Sequence, residues 1–513
     1  MQKYKKYLSN KSLFFFYGLI SLLFKISVIF SPIFTGKVID SAVSKDINVL
    51  KFNGICMILS VCAFLILMYI RSYIYVKTCG DIQYGLKKGL FERILYSDYQ
   101  NINKKDLGYY LQRHNSDIED MSFMFFEYFI DTLINLIYTI ILFVSMFIIS
   151  TKISLVMLII APFFILSNIK LIPKIEAKAN AYMESEEDLN NKFETSFNNN
   201  HSIRSLRNEN AVFNDYMNKN HNGYKAMLSY SLSDEKYNIF IVSGLLNLCI
   251  ISVYIFGAYL ALKGELSVGQ LTTLNIFVSR IWDPIEFFLG LKKKISKAKI
   301  SEKRVLDVLD LEVYHPKNLN FDDFNEITFE NIDFSYGDKK LFVDYKLNFK
   351  SNNIYLINGK NGSGKTTLFN ILSGIFSNNN TQIFVDGKEI KDKNDFLYHN
   401  IYFVPSETYK LKGTIKDNLS NYDYCPIENH NLEDDVKSLS SGETKKLQLL
   451  LSLDRKEKII IYDEPLNYLD KTKYQEFYEI IEKGKSDGHI ILIASHEKIN
   501  IRFNQVVDEE ARF

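Results

Sequence analysis

Long apolar stretches alternate with polar, basic segments as far as Leu291 in this chain of 513 residues. Six of the stretches reach the roughly 20 residues that a helix needs to cross a bilayer core: Leu13–Phe34, Asn53–Val76, Met121–Ile149, Ile153–Ile172, Tyr237–Leu262 and Leu271–Leu291. A water-soluble domain would have to hide such runs on every face. The pattern therefore predicts a helical, multi-pass membrane domain.

The segments between these runs alternate in length and charge. Lys and Arg gather before the first run and in Lys77–Arg113, Lys170–Lys236 and Lys292–Arg304. The positive-inside rule places these segments and both termini in the cytoplasm. The link at Ser150–Lys152 is so short that the third and fourth spans form a hairpin on the opposite side. The two long cytoplasmic segments, Phe91–Met121 and Ala177–Lys236, read as helical and polar. They predict spans that continue well past the bilayer, each pair closing through a short crossing helix.

A few ionisable residues interrupt the apolar runs. Lys25 lies near the middle of the first span, where facing lipid would cost about 3 kcal/mol or more. It is expected to face a partner helix or a cavity, to snorkel, or to offer a cation to an acidic group on a cargo. Glu127, Asp131 and Asp283 are expected to face the bundle. Pro284 removes a backbone donor and predicts a kink in the sixth span.

The texture changes near Glu326. "ITFENIDFSY" and "KLNFK" alternate as strands do, and Asn353–Asn358 is a short strand that runs straight into "GKNGSGKTT". Residues Gly359 to Thr366 fit G-x-x-x-x-G-K-[ST], with an apolar helical run after them. The glycines let backbone amides wrap a phosphate, and the next helix aims its positive end at it. Gly359, Lys360, Asn361, Gly362, Ser363, Gly364, Lys365, Thr366 and Thr367 are the candidate ATP-binding residues. Lys365 is placed to reach the β/γ oxygens, and Thr366 to offer its hydroxyl to Mg²⁺.

About a hundred residues on, "KIIIYDEP" is a buried strand ending in Asp463 and Glu464. Asp463 is the second candidate for Mg²⁺, and Glu464 the candidate that polarises the attacking water. "HIILIASHE" is another buried strand, and its His496 reads as a γ-phosphate sensor beside Glu464 and Lys365. ATP and Mg²⁺ are thus the expected cofactors.

Charge and cysteine content narrow the classes. A net charge of +1 gives no global acidic or basic signal, so no nucleic-acid partner is expected. The five cysteines contain no CxxC pair, which predicts free thiols rather than a disulfide framework. The first apolar run is too long for a signal h-region and has no small-residue cleavage site, so no cleaved leader is expected.

Between the two halves of the ATP site lies "SLSSGETKKLQLLLSL". It resembles the LSGGQ signature of ABC ATPases, with Ser440 and Gly442 in place, Ser441 for a glycine and Glu443 for the glutamine. "PLNYLD" (Pro465–Asp470) resembles the family's D-loop, and the aromatic Tyr336 its adenine-stacking residue. "FERILYSDYQNINKKDLGYYLQRHNSDIEDM" and "FETSFNNNHSIRSLRNENAVFNDY" look like the intracellular loops of ABC exporters. "AKISEKRVLDVLD" resembles the segment that leads into their ATPase. The resemblance covers essentially the whole chain and is to a half-transporter of the exporter type. It implies a membrane domain over 1–310, a linker over 311–325 and an α/β P-loop ABC nucleotide-binding domain over 326–513.

The resemblance further implies a dimer. Each ATP would lie between one chain's phosphate loop and the other's signature, so a second half-transporter, the same chain or an unlike one, is the expected partner beside membrane lipid. Three departures stand out. Ser406 occupies the position of a glutamine that touches Mg²⁺ and water in the family, with Glu407 beside it as a substitute. Glu443 adds a charge that could pair with Lys446. The stretch from Ser406 to Ser440 is short, which implies a trimmed helical subdomain.

Four functions compete. The first is an active exporter. The second is an ATP-binding regulatory half of a heterodimer, favoured by Ser406, Ser441 and Glu443. The third is an ATP-gated sensor without transport, and the fourth an importer of metal chelates. Spans rich in Phe, Tyr, Ile and Leu suit a small peptide, lipid or amphipathic cargo. The abundance of Lys, Asn and Ile fits a bacterium with an AT-rich genome, and so a plasma-membrane location.

Overall fold

The computed structural model describes residues 11–508, apart from 318–322, 337–338, 361, 377–379, 420–421, 423, 454–455 and 497–498. They form two compact units. One comprises residues up to 88 with 112–306, and the other 89–111 with 307–513.

The first unit is helical. Among the described residues, four helices are long and apolar enough to cross a membrane: Ser12–Val43, Ile47–Tyr96, Tyr128–Ile149 and Glu209–Leu262. The fourth predicted span lies within the helix Thr151–Asn198, which runs for 48 residues. At about 1.5 Å per residue it measures about 72 Å, more than twice a hydrocarbon core. That length allows the predicted extension, and short helices follow the long ones at Tyr99–Ile102 and Asn200–Ser205. The sixth apolar run is divided into the helices Val268–Arg280 and Trp282–Leu309. Pro284 stands in the first turn of the second helix and cannot bond back to the Arg280 carbonyl, so the chain breaks at Ile281.

The helices Lys11–Val43 and Val268–Arg280 meet backbone to backbone. A Cβ on Gly36 would fall 2.4 Å from the Gly269 carbonyl oxygen, so only glycine fits. Asp40 locks the contact, accepting from the Gly269 amide at 2.7 Å and the Ser267 hydroxyl at 2.6 Å.

Asp131, Arg71 and Lys25 contact neighbouring helices, whereas Asp283, expected to face the bundle, is exposed. Asp131 closes a π-helical turn, Phe126–Asp131. Its carboxylate accepts from the Tyr17 hydroxyl at 2.9 Å and from Arg71 Nη2 at 3.0 Å. Arg71 Nε also donates to Ser21 Oγ at 3.0 Å. The Lys25 ammonium lies 4.6 Å from the centre of the Tyr138 ring, a cation–π contact. The Glu127 side chain lies outside the described residues. No disulfide joins the five cysteines; Cys79 and Cys249 are buried and Cys62 is exposed.

The second unit contains nine described strands: β1 (Glu326–Tyr336), β2 (Lys339–Lys350), β3 (Ile354–Asn358), β4 (Gln382–Val385), β5 (Lys388–Glu389), β6 (Ile401–Val404), β7 (Ile459–Asp463), β8 (Ile490–Ala494) and β9 (Gln505–Asp508). An antiparallel sheet has the order β2-β1-β4-β5, and a parallel sheet the order β6-β7-β8-β3-β9. The continuous apolar runs of β7 and β8 follow from burial on both faces of a parallel sheet, where every residue is enclosed. One face packs on Leu368, Phe369 and Leu372, the other on Leu447, Phe477 and Ile481.

Residues 89–111 belong to this unit although they lie in the membrane half of the sequence. Arg93 Nε donates to the Leu309 carbonyl at 2.8 Å, and the Tyr314 amide to the Tyr96 carbonyl at 2.9 Å. The Tyr99 ring stacks on Phe376 with centroids 6.2 Å apart, and Phe376 stacks in turn on Phe334. Between Ser406 and Ser440 the described residues hold one short α-helix, Ile415–Asn418, and a 3-10 turn, Val436–Ser438.

Candidate active site

β3 lies between β8 and β9 and runs directly into Gly359. Gly362 and Gly364 take φ of +81° and +104°, a region that L side chains rarely adopt. A Cβ on Gly364 would also meet Leu341 Cδ2 at 2.9 Å. The turn they make opens the helix Lys365–Leu372. Lys365 is buried, and its Nζ donates to the carbonyls of Gly359 at 2.7 Å and Lys360 at 3.2 Å.

The acidic side of the cleft comes from the end of β7. The Thr366 hydroxyl donates to Asp463 Oδ2 at 2.8 Å. Burial pushes the Asp463 carboxyl above its ordinary value, opposed by the Thr366 hydroxyl and by Lys445, Lys365 and His496. Glu464 turns away from the strand at φ +45°, with its amide bonded to the Ala494 carbonyl at 2.9 Å. Its carboxylate accepts from the His496 amide at 3.2 Å and lies 3.2 Å from His496 Nε2. That same Nε2 lies 3.4 Å from Lys365 Nζ.

These groups line one cleft of about 550 Å³, together with Gly362, Ser363, Gly364, Thr367, Ser406 and Asn467. The helix N-terminus and Lys365 suit phosphate oxygens. Among the described residues no cluster of three or more His, Cys, Asp or Glu side chains could hold a metal. A cation here would draw on the Thr366 and Asp463 oxygens plus phosphate and water, the kind of site that suits Mg²⁺. Asn361 lies outside the described residues, as does the Tyr336 side chain.

Ser440 and Gly442 do not line this cleft. They begin the helix Ser441–Leu453. A Cβ on Gly442 would sit 2.8 Å from the Tyr468 carbonyl oxygen, so the D-loop-like segment requires glycine there. Glu443 does not pair with Lys446, which bonds Glu476 at 2.7 Å instead. Glu443 Oε2 accepts from the Ser440 amide at 2.8 Å, and the Glu443 amide reaches back to Ser440 Oγ at 3.3 Å. This reciprocal pair is a capping box, and S-x-x-E at 440–443 is its sequence signature. Ser406 lines the cleft, whereas its neighbour Glu407 is exposed and does not.

Residues 14–284 match the model of the ABC transporter transmembrane region, and residues 342–467 that of the ABC transporter. The chain belongs to the ABC transporter family. An export ATP-binding/permease protein of Rickettsia typhi is 23% identical over 495 residues, covering 89% of this chain and 84% of the relative. The lactococcin-G-processing and transport ATP-binding protein of Lactococcus lactis is 24% identical over 86% of this chain and 66% of its own length. A lantibiotic transport ATP-binding protein of Streptococcus pyogenes is 32% identical over 33% of this chain and 78% of its own length. This ABC transporter is a membrane protein whose ATP hydrolysis is coupled to transport.

One residue of this ABC transporter's ATPase unit was not singled out by sequence reasoning. Lys445 follows the signature and is fully buried, with its ammonium 2.7 Å from the Pro405 carbonyl. Its signal in the sequence is a lysine on the apolar face of a helix, flanked by Thr444 and followed by Leu447 and Leu449.

Proposed function

We propose that this transporter exports a small peptide, a lipid or another amphipathic compound across a bacterial plasma membrane, with both termini in the cytoplasm. The observation that carries the reading is the convergence of Lys365, Thr366, Asp463, Glu464 and His496 on one cleft. Lys365 and the helix amides hold the β- and γ-phosphate oxygens. Thr366 and Asp463 would hold Mg²⁺, which when bound neutralises charge on those oxygens. Glu464 polarises the attacking water and accepts its proton as oxygen bonds to the γ-phosphorus. The bond to the β–γ bridging oxygen breaks, releasing ADP and phosphate. His496, tied to Glu464, marks the γ-phosphate position.

Ser440 and Gly442 lie outside the chain's own cleft, which supports their serving the ATP of a second half-transporter, alike or unlike. Closure around ATP then works as a population shift, because ATP binds the closed pair better than the open one. The relatives named for lactococcin G and lantibiotic transport favour a peptide cargo over the alternatives. One observation favours the regulatory half of a heterodimer: the short Ser406 side chain at the cleft where a glutamine is expected.

Direction and cargo are tested together. Spent medium from cells expressing the wild-type chain is compared by mass spectrometry with medium from cells expressing Glu464→Gln. Export predicts a compound present only with the wild type. A compound depleted from the medium by the wild type alone would mean import.

A further inference from the structure

Lys445 stands in the second turn of the helix Ser441–Leu453 and is 0% exposed. An ammonium withdrawn from water is expensive unless it is hydrogen-bonded and faces opposite charge. The ATP site supplies both. Nζ donates to the Pro405 carbonyl at 2.7 Å and lies 3.4 Å from the Ser406 carbonyl. Parallel pairing of β6 with β7 sets Val404 beside Tyr462, so this turn runs next to Asp463 and Glu464. Burial pulls the Lys445 ammonium down to about 8, and the two carboxylates draw it back up. One turn further along the helix, Gln448 Nε2 reaches the Tyr409 carbonyl at 3.5 Å. The helix thus grips the segment 405–409 through its carbonyls.

We propose that Lys445 is a positioning residue of the ATPase site: its ammonium pins the Pro405–Ser406 turn at the cleft and balances the Asp463–Glu464 carboxylates from the helix that begins at the signature. The inference rests on the reading of Glu464 as the group that polarises water. Lys445 does not line the cleft. Its removal leaves the glycine-rich loop intact, frees the Ser406 turn and leaves two carboxylates with less opposing charge. Nucleotide binding therefore survives while the geometry of hydrolysis does not. The same lysine ties the Pro405–Ser406 turn at the cleft to the helix that carries Ser440 and Gly442.

The test uses the full chain in lipid nanodiscs, comparing wild type, Glu464→Gln, Lys445→Met and Lys445→Gln. Wild-type turnover that Glu464→Gln abolishes supports the underlying reading; turnover that Glu464→Gln leaves unchanged overturns it. Lys445→Met is expected to lose kcat by on the order of 10- to 100-fold. The KM for ATP and the affinity for trinitrophenyl-ATP should stay within about threefold. Lys445→Gln restores a donor to Pro405 without charge and should recover part of kcat; it also carries the test if the methionine variant does not fold. Wild-type kcat in both variants overturns the proposal. So does a fall in nucleotide affinity and unfolding midpoint in step with kcat, which would mark a packing role alone.

Discussion

The Thr366 hydroxyl donates to the Asp463 carboxylate across 2.8 Å, joining the first turn of the phosphate-loop helix to the end of β7. A hard cation between them would have its two protein oxygens already converged. Thr366→Val removes one of these oxygens at nearly constant volume. It should raise the Mg²⁺ concentration for half-maximal turnover by about 10- to 100-fold. A Mg²⁺ titration of ATPase rate checks this.

The Glu443 capping box predicts a stability effect separable from chemistry. Glu443→Ala should cost about 1 kcal/mol of unfolding free energy in the second unit, and Glu443→Gln much less. Hydrogen bonds from the Ser440 side chain and amide hold the Glu443 carboxyl below its ordinary value. A depressed carboxyl contributes stability above the usual glutamate range and loses it as pH falls through the folded-state value. Thermal melts across pH 3–7 should therefore show the wild-type advantage over Glu443→Ala shrinking on the acid side.

Much of this site was legible from spacing alone, because a phosphate loop needs glycines at fixed positions between a strand and a helix. Gly362 and Gly364 take the left-handed backbone that reading requires. What was not legible depends on contacts distant in sequence. Asp131 could be read as bundle-facing, but its partner Arg71, 60 residues away, could not be named. The family motif leaves Glu443 as a charge that could pair with Lys446, whereas the local S-x-x-E pattern makes it the capping partner of Ser440. The place of residues 89–111 beside the ATPase strands rests on backbone bonds such as Tyr314 to Tyr96, which no periodicity encodes.

Tyr99 on Phe376 predicts how that segment is held. An aromatic pair contributes about 0.5–1.5 kcal/mol beyond burial. Tyr99→Ala should speed hydrogen exchange across 89–111 while leaving trinitrophenyl-ATP affinity unchanged. Unaltered exchange would remove the pair as an anchor.

The Arg71–Asp131 pair makes a double-mutant prediction. Removing one partner leaves a charge in an apolar surrounding at a cost of about 3–5 kcal/mol. Arg71→Met or Asp131→Asn alone should lower the unfolding midpoint in detergent. The double variant should recover most of the loss, since no uncompensated charge remains.

The hydrolytic set proposed around Glu464 lies within one chain. The most direct measurement is ATP turnover by the purified chain in lipid nanodiscs, beside Glu464→Gln. Turnover in the wild type that falls to background in the variant, with nucleotide still bound, is the predicted result. Equal rates in the two proteins, or none in either, would contradict it.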